Sequence, residues 1–520
     1  MTPRRTVLAG AAALGATLPL SPLFSSAEAA TLAPRRGGVL RISVGQAASV
    51  LNPLLTRVNP EYLLSELLYS GLTRLRLDMT AEPDLAESWT TSPDLTTWTF
   101  KLRPNLAFQD GTPCTSKDVE ASFQRMMDPK SGSAARTNIG PVHDVVATDA
   151  TTVVFHLKGP YADLPVALAY TNAKIIPEAI AKGDMSVLSH SANGTGPFKL
   201  VSFSPEREVI VERNPHYWDP TRPHVDRVEV VVYPDPTAEA SALIAGDTDL
   251  MAETQPSQFG RLKSAKGVVP LRVPSGQFLN VNMACYAKPF SDMRIRQALA
   301  LTVDRKAMVG FVAEGYGTPG DDTPISPAYH FYHNMPLKKR NIAEARRLLA
   351  EAGYPNGIDL TLVASVNPST RAQLAVAIRE MAKEAGFRIE VQTMPHATYL
   401  ATVWKKGHFY VGFYNMQATA DAIFSLLYTS NAAWPETRWD NKQFDTLVEQ
   451  ARLTTDEAKR AAFYAQAQQL MNEQVPSVIP VFFDLLAAKR NYVENYALNP
   501  RGAVFLLDKL WLGKGAPHRA

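Results

Sequence analysis

The chain has few cysteines for its length. Only Cys114 and Cys285 occur among 520 residues, and they lie far apart in the sequence. Two cysteines cannot form a disulfide framework or a zinc site built from cysteine pairs. We therefore predict two free thiols, although an exported protein could join them in a single bridge.

The chain also lacks an excess of charge of either sign. Its formal net charge is +3, with 20% charged and 46% hydrophobic residues, which is ordinary for a globular protein. A dedicated nucleic-acid-binding protein would carry basic runs. The longest basic cluster here, Lys338 to Arg340, precedes a predicted helix and is read as a solvated surface. We expect no nucleic-acid partner.

None of the common catalytic motifs HExxH, GxSxG and GxxxxGK is present. Residues 315–320 match GxGxxG, but they follow a predicted helix and Pro319 excludes a helix after them, so we predict an ordered loop. His330 and His333 have the spacing of a metal pair, yet no cysteine or carboxylate partner is near, which favours a packing role. We predict no cofactor, no metal and no enzyme activity.

No stretch after residue 30 reaches the roughly 20 apolar residues needed to cross a bilayer. The N-terminus differs, because Arg4-Arg5 precedes an apolar run from Val7 to Leu20, and Ala27-Glu28-Ala29 is a small-x-small cleavage site. These features predict a signal peptide over residues 1–29. The paired arginines favour the twin-arginine route over a Sec signal with two chance arginines. We expect a soluble, exported, periplasmic protein.

The mature chain alternates between two patterns. Segment 73–189 has short alternating strands and one helix, which is typical of a small α+β unit. From Arg272 onwards, helices and strands alternate, which predicts an α/β arrangement with parallel pairing. Within that part, Ser291 is predicted to cap a helix that runs to Ala300.

Gly194-Thr195-Gly196-Pro197-Phe198 leads out of the α+β segment. Its glycines and proline exclude a helix at this point. The turn could cradle a phosphate, or it could let the chain re-enter a sheet. Because no helix starts directly after it, the array of amides that binds phosphate is missing, and the structural interpretation is favoured.

Several motifs in a fixed order resemble the peptide/nickel-type solute-binding proteins of ATP-binding-cassette (ABC) importers, the extracellular solute-binding family 5. The motifs cover nearly the whole mature chain. They are Gly37-Gly38, Leu85-Ala86-Glu87-Ser88-Trp89, the run from Phe100 to Val119, Gly194-Thr195-Gly196-Pro197-Phe198, Arg213-Asn214-Pro215-His216-Tyr217-Trp218, Gly246-Asp247-Thr248-Asp249, Pro289-Phe290-Ser291-Asp292 and Ala345 to Gly353.

The resemblance implies an α/β, two-lobed periplasmic-binding-protein fold with an additional inserted α+β domain. Lobe I would combine residues 37–72, 190–272 and 481–520, the inserted domain would be 73–189, and lobe II would be 273–480. A small-molecule or peptide ligand would sit in the cleft between the lobes, and hinge closure would enclose it. The closed form would dock on ABC permease subunits, and we expect a monomer.

The resemblance leaves the ligand open. Peptide-binding members hold the free amino group with an aspartate three residues after a tryptophan, and residues 415–418 here, Asn-Met-Gln-Ala, contain neither. A peptide remains one alternative, and a modified peptide, an opine, a sugar derivative or a metal chelate are the others. The candidate contacts, chosen by cleft position in the resemblance, are Ser49, Gln277, Phe278, Asn280, Tyr414, Gln417, Asp421 and Trp439.

Three functions remain in competition at this point. The leading hypothesis is a binding protein that feeds an importer. The alternatives are an exported hydrolase of peptides or glycans, and a sensor that presents its closed form to a membrane receptor. The hydrolase needs a nucleophile and a base that the sequence does not display, whereas importer and sensor would use the same residues.

Overall fold

Helices and strands follow one another throughout the part of the chain that the computed structural model describes, residues 33–502 and 504–518. The strands are β1 (Val39–Val44), β2 (Thr73–Leu75), β3 (Ala81–Pro83), β4 (Ala86–Thr91), β5 (Thr97–Leu102), β6 (Val142–Asp149), β7 (Thr152–Leu157), β8 (Phe198–Ser204), β9 (Glu208–Arg213), β10 (Arg227–Val232), β11 (Leu250–Met251), β12 (Val268–Met283), β13 (Gly317–Pro319), β14 (Ile358–Ser365), β15 (Phe387–Met394), β16 (Phe409–Tyr414), β17 (Ser477–Arg490), β18 (Val493–Glu494) and β19 (Trp511–Leu512).

The helices cover the sheets and connect their strands. They are α1 (Asn59–Leu68), α2 (Ser116–Met127), α3 (Leu164–Ala167), α4 (Glu178–Lys182), α5 (Pro236–Ala245), α6 (Pro256–Ser264), α7 (Met293–Leu301), α8 (Arg305–Val312), α9 (Ile342–Glu351), α10 (Thr370–Lys383), α11 (His396–Thr402), α12 (Ala420–Leu427), α13 (Lys442–Arg452) and α14 (Glu457–Gln474).

One 11-stranded sheet runs through both lobes, in the order β15-β14-β16-β12-β17-β11-β1-β10-β9-β8, with β13 paired to β17. Its two longest strands, β12 and β17, are antiparallel neighbours from Val268 opposite Arg490 to Asn282 opposite Ser477. Their register shifts between Pro274 and Gln277. A register shift of this kind marks a local bend in the strand pair. On the two sides of this bend, each strand has one part in lobe I and the other part in lobe II.

Lobe I takes the side of the sheet beyond β11. Strand β1 pairs in parallel with β10 on one side and with β11 on the other. The helix between those two neighbours, α5, begins at Pro236 with Asp235 as its N-cap and ends at Gly246 in the left-handed region. A proline at the first position and a glycine after the last are strong helix boundary signals, so the sequence itself marks both ends of α5.

Lobe II takes the side beyond β12. Strand β14 pairs in parallel with β15 and with β16, whereas β16 pairs antiparallel with β12. The buried apolar residues of this lobe form their own cluster, which includes Leu279, Leu362 and Val411. The α/β pattern with parallel pairing that the sequence predicts for this part is confirmed.

The inserted α+β domain is a four-stranded antiparallel sheet in the order β4-β5-β7-β6. Helix α2 packs on it, and Phe123 meets Phe155 edge to face with ring centroids 4.9 Å apart. Thr115 and Asp118 form a capping box at the start of α2, which stabilises the N-terminus of a helix. The domain shares one apolar core with lobe I, so the boundaries at 72, 189 and 272 remain predictions.

The inserted domain also touches lobe II. Arg460 of α14 donates to the Asp163 carboxylate, and both side chains are buried. Next to this ion pair, the backbone amide of Ala162 donates to the carbonyl oxygen of Arg452 over 3.2 Å. The segment around Asp163 is therefore a contact between the two sides of the molecule.

The turn at residues 194–196 packs against the last residues of α1. The amide of Gly196 donates to the Leu68 carbonyl oxygen over 3.1 Å. A Cβ added at Gly194 would lie 2.1 Å from that same oxygen. The glycines thus serve a close approach of two backbones, which supports the structural interpretation over a phosphate cradle.

Two local predictions are wrong. The N-cap of α7 is Asp292 rather than Ser291, and its carboxylate accepts from the amide of Arg294 over 2.9 Å. Either residue has a side-chain acceptor suited to a cap, and the chain enters the helix one residue later. Gly317–Pro319, predicted as loop, forms β13, where a Cβ at Gly317 would meet the Phe482 carbonyl oxygen at 2.5 Å.

The prediction of two free thiols agrees with the structure. Cys114 and Cys285 are free thiols. His330 lies 3.1 Å from a Glu457 carboxylate oxygen, and the described residues contain no group of three or more metal-ligating side chains. Residues 33–502 and 504–518 also contain no helix that is both long and apolar enough to cross a membrane. The predicted signal peptide lies outside the described residues.

The packing at Gly194 gives a test of the fold. Gly194→Ala should destabilise the protein by about 3 kcal/mol or more, because backbone atoms must move to admit the methyl group. Gly310→Ala is the matched control, since Gly310 lies on α8 and an added Cβ there would have open space within 4 Å. That change should be neutral or should stabilise by up to about 1 kcal/mol. Denaturant unfolding measures both, and equal effects would contradict the packing role of Gly194.

Candidate functional site

The carboxyl ends of three lobe II strands meet at one edge of the sheet. Strands β14, β15 and β16 run parallel to one another and end at Ser365, Met394 and Tyr414. In open α/β sheets, ligands bind in the crevice outside such ends, where neighbouring strands continue in opposite directions. That point lies here between β14 and β16, and we refer to it as the lobe II crevice.

Arg371, in the first turn of α10, places a guanidinium group at this crevice. The residue is 7% exposed. Its guanidinium carbon lies 5.3 Å from the centroid of the Tyr399 ring and 5.9 Å from that of Phe413. Stacking on aromatic faces suits the weakly hydrated guanidinium group, so the two rings hold Arg371 in place from the sides.

The guanidinium of Arg371 has an incomplete set of partners. Its Nη1 donates to His396 Nδ1 over 3.4 Å, and its Nε has no hydrogen-bond partner in the described part of the chain. Burial lowers the pKa of Arg371, while the more distant charge of Glu436 raises it. Within residues 33–502 and 504–518 no carboxylate forms an ion pair with it. A buried cation in this state favours an external anion.

His396 stays a neutral hydrogen-bond acceptor toward Arg371. Burial and then the Arg371 charge lower the pKa of His396. The Ser365 hydroxyl also lies 3.1 Å from His396 Nδ1. The imidazole thus orients the arginine without adding a second positive charge.

Aromatic rings form the neighbouring wall of the crevice. Trp434 is 37% exposed and packs on Trp404 and Tyr414 with ring centroids 5.3 Å and 6.2 Å away. Trp404 Nε1 donates to the Tyr414 hydroxyl over 3.2 Å. Large rings that are partly open to solvent supply apolar contact area at a small entropic cost. The crevice therefore combines one cation with a stacking surface.

A buried carboxylate network supports this wall from below. Glu436 Oε2 accepts from Asn280 Nδ2 over 3.2 Å and from Asn282 Nδ2 over 2.8 Å. Burial raises the pKa of Glu436, against the effect of the hydrogen bond from Asn280. Asn280 is fully buried, so in this structure its amide supports Glu436.

Besides Asn280, the structure brings four of the eight sequence-predicted contacts together where β12 and β16 pair. Phe278 lies opposite Tyr414, with ring centroids 5.7 Å apart. Gln277 Nε2 donates to Asn415 Oδ1 over 2.7 Å, and the backbone amide of Gln417 donates to the Tyr329 hydroxyl over 3.0 Å. Of these four, Phe278 and Tyr414 are buried, and the two glutamines are partly exposed.

The other predicted contacts lie apart. Asp421 is buried and its Oδ1 accepts from Arg452 Nε over 2.5 Å; with Gln417 it lines a cavity of about 510 Å³ between segments 137–170 and 417–453. Trp439 is buried and donates to Gln474 over 3.2 Å. Ser49 is exposed in the loop after β1, 3.3 Å from a Glu61 carboxylate oxygen. Nothing in this placement tests whether these residues touch a ligand.

Sequence reasoning missed Arg371, His396, Trp404 and Trp434. Each follows a strand or helix end in lobe II, where cleft residues collect. Arg371 could have been found from the sequence, because it is an arginine in the first turn of a helix that follows a predicted buried strand. Trp404 and Trp434 lie far apart in the sequence, and only the fold brings their rings into contact.

Known proteins with a similar sequence and a similar fold are solute-binding proteins. A sequence profile of the bacterial extracellular solute-binding proteins, family 5 (middle region), matches residues 80–435. The glutathione-binding protein GsiB of Shigella dysenteriae serotype 1 is 29% identical over 472 residues, which is 88% of this chain and 92% of that relative.

Two solved structures show the same architecture. HbpA2 from Haemophilus parasuis superimposes with a TM-score of 0.82 at 24% identity, covering 91% of this chain and 100% of that one. The binding protein AgaA from A. tumefacien R10, in complex with agropinic acid, superimposes with a TM-score of 0.74 at 25% identity, covering 93% and 99%. The two-lobed fold with an inserted domain is therefore common to all three proteins.

The buried Glu436 predicts a pH effect on stability. Its raised pKa means that the folded state keeps a proton that the unfolded chain has lost above about pH 4. This stabilisation is complete below the pKa of the unfolded chain and is lost as the pH rises through the folded pKa. Because glutamine does not titrate, the Tm of Glu436→Gln minus that of the wild type should increase from about pH 4 to about pH 7.

The matched control is Glu380→Gln, whose side chain on α10 is 57% exposed. Its Tm difference from the wild type should stay nearly constant over the same range. If the Glu436→Gln difference is equally flat in thermal melts, Glu436 does not hold a proton in the folded state.

Proposed function

The chain belongs to the family 5 bacterial extracellular solute-binding proteins, and we propose that it captures a peptide or peptide-like solute and delivers it to an ABC permease. The observation that carries the choice of solute is Arg371, a buried guanidinium at the lobe II crevice without an ion-pair partner among the described residues. A cation in this setting matches a carboxylate, which can accept two of its hydrogen bonds at once. The solute would therefore carry a carboxylate group.

The relatives support an acidic solute. The GsiB relative is named for glutathione, and AgaA was solved with agropinic acid. A carboxylate bound by Arg371 would also be consistent with the missing tryptophan and aspartate at residues 415–418. The anionic end of the solute, rather than a free amine, would then be the part that lobe II recognises.

We propose different roles for the predicted contacts, according to where each residue lies. Tyr414, together with Trp404 and Trp434, would stack on the solute, and Gln277 and Gln417 would supply hydrogen bonds. Asp421 and Ser49 would contact only a long solute, since they lie in other parts of the molecule. Phe278, Asn280 and Trp439 are buried and would shape the wall behind the first layer.

Closure of the lobes would bend the β12–β17 pair. The register shift between Pro274 and Gln277 lies where the strands pass from β11 to β16 as their neighbours. It also lies beside the proposed boundaries at 272/273 and 480/481. A hinge needs a few residues that absorb a change of backbone angles. When the strand pair bends, it loses fewer hydrogen bonds at an irregular place than it would at a regular one.

The remaining parts of the proposal concern the setting. The protein would be exported to the periplasm by the twin-arginine route, would act as a monomer and would catalyse no reaction. Loss of uptake of the solute on deletion of the gene would support the importer role. Unchanged uptake together with a lost signalling response would favour the sensor.

Binding itself is tested by thermal shift and calorimetry with glutathione, tri- to pentapeptides, opines, oligosaccharides and metal chelates. A solute at about 100 times its Kd should stabilise the protein by about 2.7 kcal/mol. Carboxylate-bearing compounds should give the shift, and their C-terminal amides should not. If no compound of the panel shifts the transition, the solute-binding proposal fails.

The role of Arg371 is tested by substitution. Arg371→Gln should weaken binding of the carboxylate-bearing solute by roughly 10- to 100-fold, because a charged hydrogen-bond pair is lost. Arg379→Gln is the matched control on the same helix, where the side chain is 41% exposed and pairs with Glu380. The control should keep wild-type affinity. Equal affinities of the two variants in calorimetry would remove Arg371 from the site.

The export route gives a further test. Replacing Arg4-Arg5 with two lysines should strongly reduce the amount of mature protein in the periplasmic fraction if the twin-arginine signal is used. The amount of precursor in the cytoplasm should increase correspondingly. An unchanged periplasmic amount in an immunoblot of the fractions would instead favour the Sec route.

A further inference from the structure

Lobe I has a strand edge of the same kind as lobe II. Strands β1, β10 and β11 are parallel and end at Val44, Val232 and Met251. The chain beyond these ends, together with Asn59 and Leu63 of α1, encloses a cavity of about 360 Å³. We refer to it as the lobe I cavity. Its floor includes Leu485 and Leu486 of β17, so it lies beside the strand pair that joins the lobes.

A carboxylate without a counter-ion lies in the wall of this cavity. Glu239, in the first turn of α5, is 4% exposed. One of its carboxylate oxygens faces the end of β1, since a Cβ added at Gly45 would lie 3.7 Å from Oε2. Burial raises the pKa of Glu239 to about 7, a hydrogen bond from Ser43 opposes this, and the charge of Glu253 adds to it.

No positively charged side chain among the described wall residues neutralises Glu239. The described residues that line the cavity include no lysine, arginine or histidine. Glu253, a second wall residue, is exposed and accepts a hydrogen bond from Asn59 Nδ2 over 2.8 Å. It is the one charged group, apart from Glu239 itself, among those described wall residues, and it increases the negative potential.

A buried hydroxyl group in the same wall has no hydrogen-bond partner among the described residues. Thr254 is 7% exposed, and its hydroxyl has no hydrogen-bond partner among the described residues. Its backbone is fixed, because its amide donates to the Leu486 carbonyl oxygen over 2.8 Å. Buried hydroxyl groups are normally hydrogen-bonded. The cavity thus combines a carboxylate that has no counter-ion among the described wall residues with an unpaired hydroxyl, and a ligand could satisfy both.

The rest of the wall is apolar. Leu63, Leu485, Leu498 and Phe505 contribute to it. Carboxylates at one part of an apolar cavity suit a cation on an aliphatic stem, whose methylene groups contact the leucines while the charged end reaches the acid. A free anion is disfavoured, because it would lie beside two glutamates.

We propose that the lobe I cavity binds a primary ammonium group on an aliphatic stem, with Glu239 as its counter-ion and Thr254 as a hydrogen-bond acceptor. This inference rests on the proposed function as a solute-binding protein, and it extends the solute from an acid to a zwitterion. The carboxylate would bind Arg371 in lobe II, and the ammonium group would bind Glu239 in lobe I. Lobe I would then bind the positive end of the solute, and lobe II would bind its negative end.

The test uses n-butylammonium as a probe and 1-butanol as its uncharged counterpart, with no solute present. Saturation-transfer NMR titrations should show millimolar binding of n-butylammonium, and binding of 1-butanol at least about tenfold weaker. Glu239→Gln keeps the shape of the side chain and should weaken n-butylammonium binding by about tenfold or more. Thr254→Val should weaken it by a few-fold, and Glu206→Gln, an exposed acid of lobe I, should leave it unchanged.

The pH dependence separates the proposal from nonspecific binding. Only ionised Glu239 attracts the cation, and n-butylammonium stays charged near neutral pH. Affinity should therefore fall about tenfold from about pH 8 to about pH 6 as Glu239 takes up its proton. In Glu239→Gln this dependence should nearly vanish, leaving only the contribution of the exposed Glu253. Circular dichroism confirms that the variants are folded.

Three outcomes would overturn the proposal: equal binding of n-butylammonium and 1-butanol, wild-type binding by Glu239→Gln, or no binding of the cation at concentrations up to about 100 mM. None of these depends on the solute panel. Failure of the panel with intact n-butylammonium binding would instead refute the proposed function and leave the cation site in place.

Discussion

The antiparallel pair of β12 and β17 is the constraint on which the rest of the structure depends. These two strands are the only elements of the described sheet that have neighbours in both lobes, with β11 on one side and β16 on the other. Their pairing therefore fixes the relation between the lobe I cavity and the lobe II crevice. Register shifts between Pro274 and Gln277 and between Leu279 and Val281 give the pair two irregular places at which it can bend.

Both lobes also bury a charge that has no ion-pair partner among the described residues. An isolated buried ion is costly, and proteins usually pair it or shift its pKa. Arg371 keeps its charge, since guanidinium groups remain protonated in proteins, whereas burial raises the pKa of Glu239 to about 7. The unliganded protein is therefore less stable than a neutral variant would be, and a zwitterionic solute would remove both penalties at once.

Much of the fold could be predicted from the sequence, whereas most of the candidate site could not. Helix α5 carries its own boundaries in Pro236 and Gly246, so local chemistry alone places it. The choice between Ser291 and Asp292 as N-cap depends on how the chain enters α7, which neighbouring structure decides. Arg371 and Trp434 become neighbours of one crevice only through the pairing of β14 with β16. The sequence pattern predicts parallel pairing in this lobe, but it does not show that β14 and β16 are neighbours.

The position of β17 in the sheet has a consequence for the growing chain. This strand comes from Ser477–Arg490, close to the end of the chain, yet it lies in the middle of the sheet and supplies partners to β11, β12 and β13. Until it is synthesised, β11 and β12 have open edges, which are templates for pairing with other molecules. The nascent protein must therefore extend past residue 490 before either lobe can close its sheet, and protection from aggregation is needed until then.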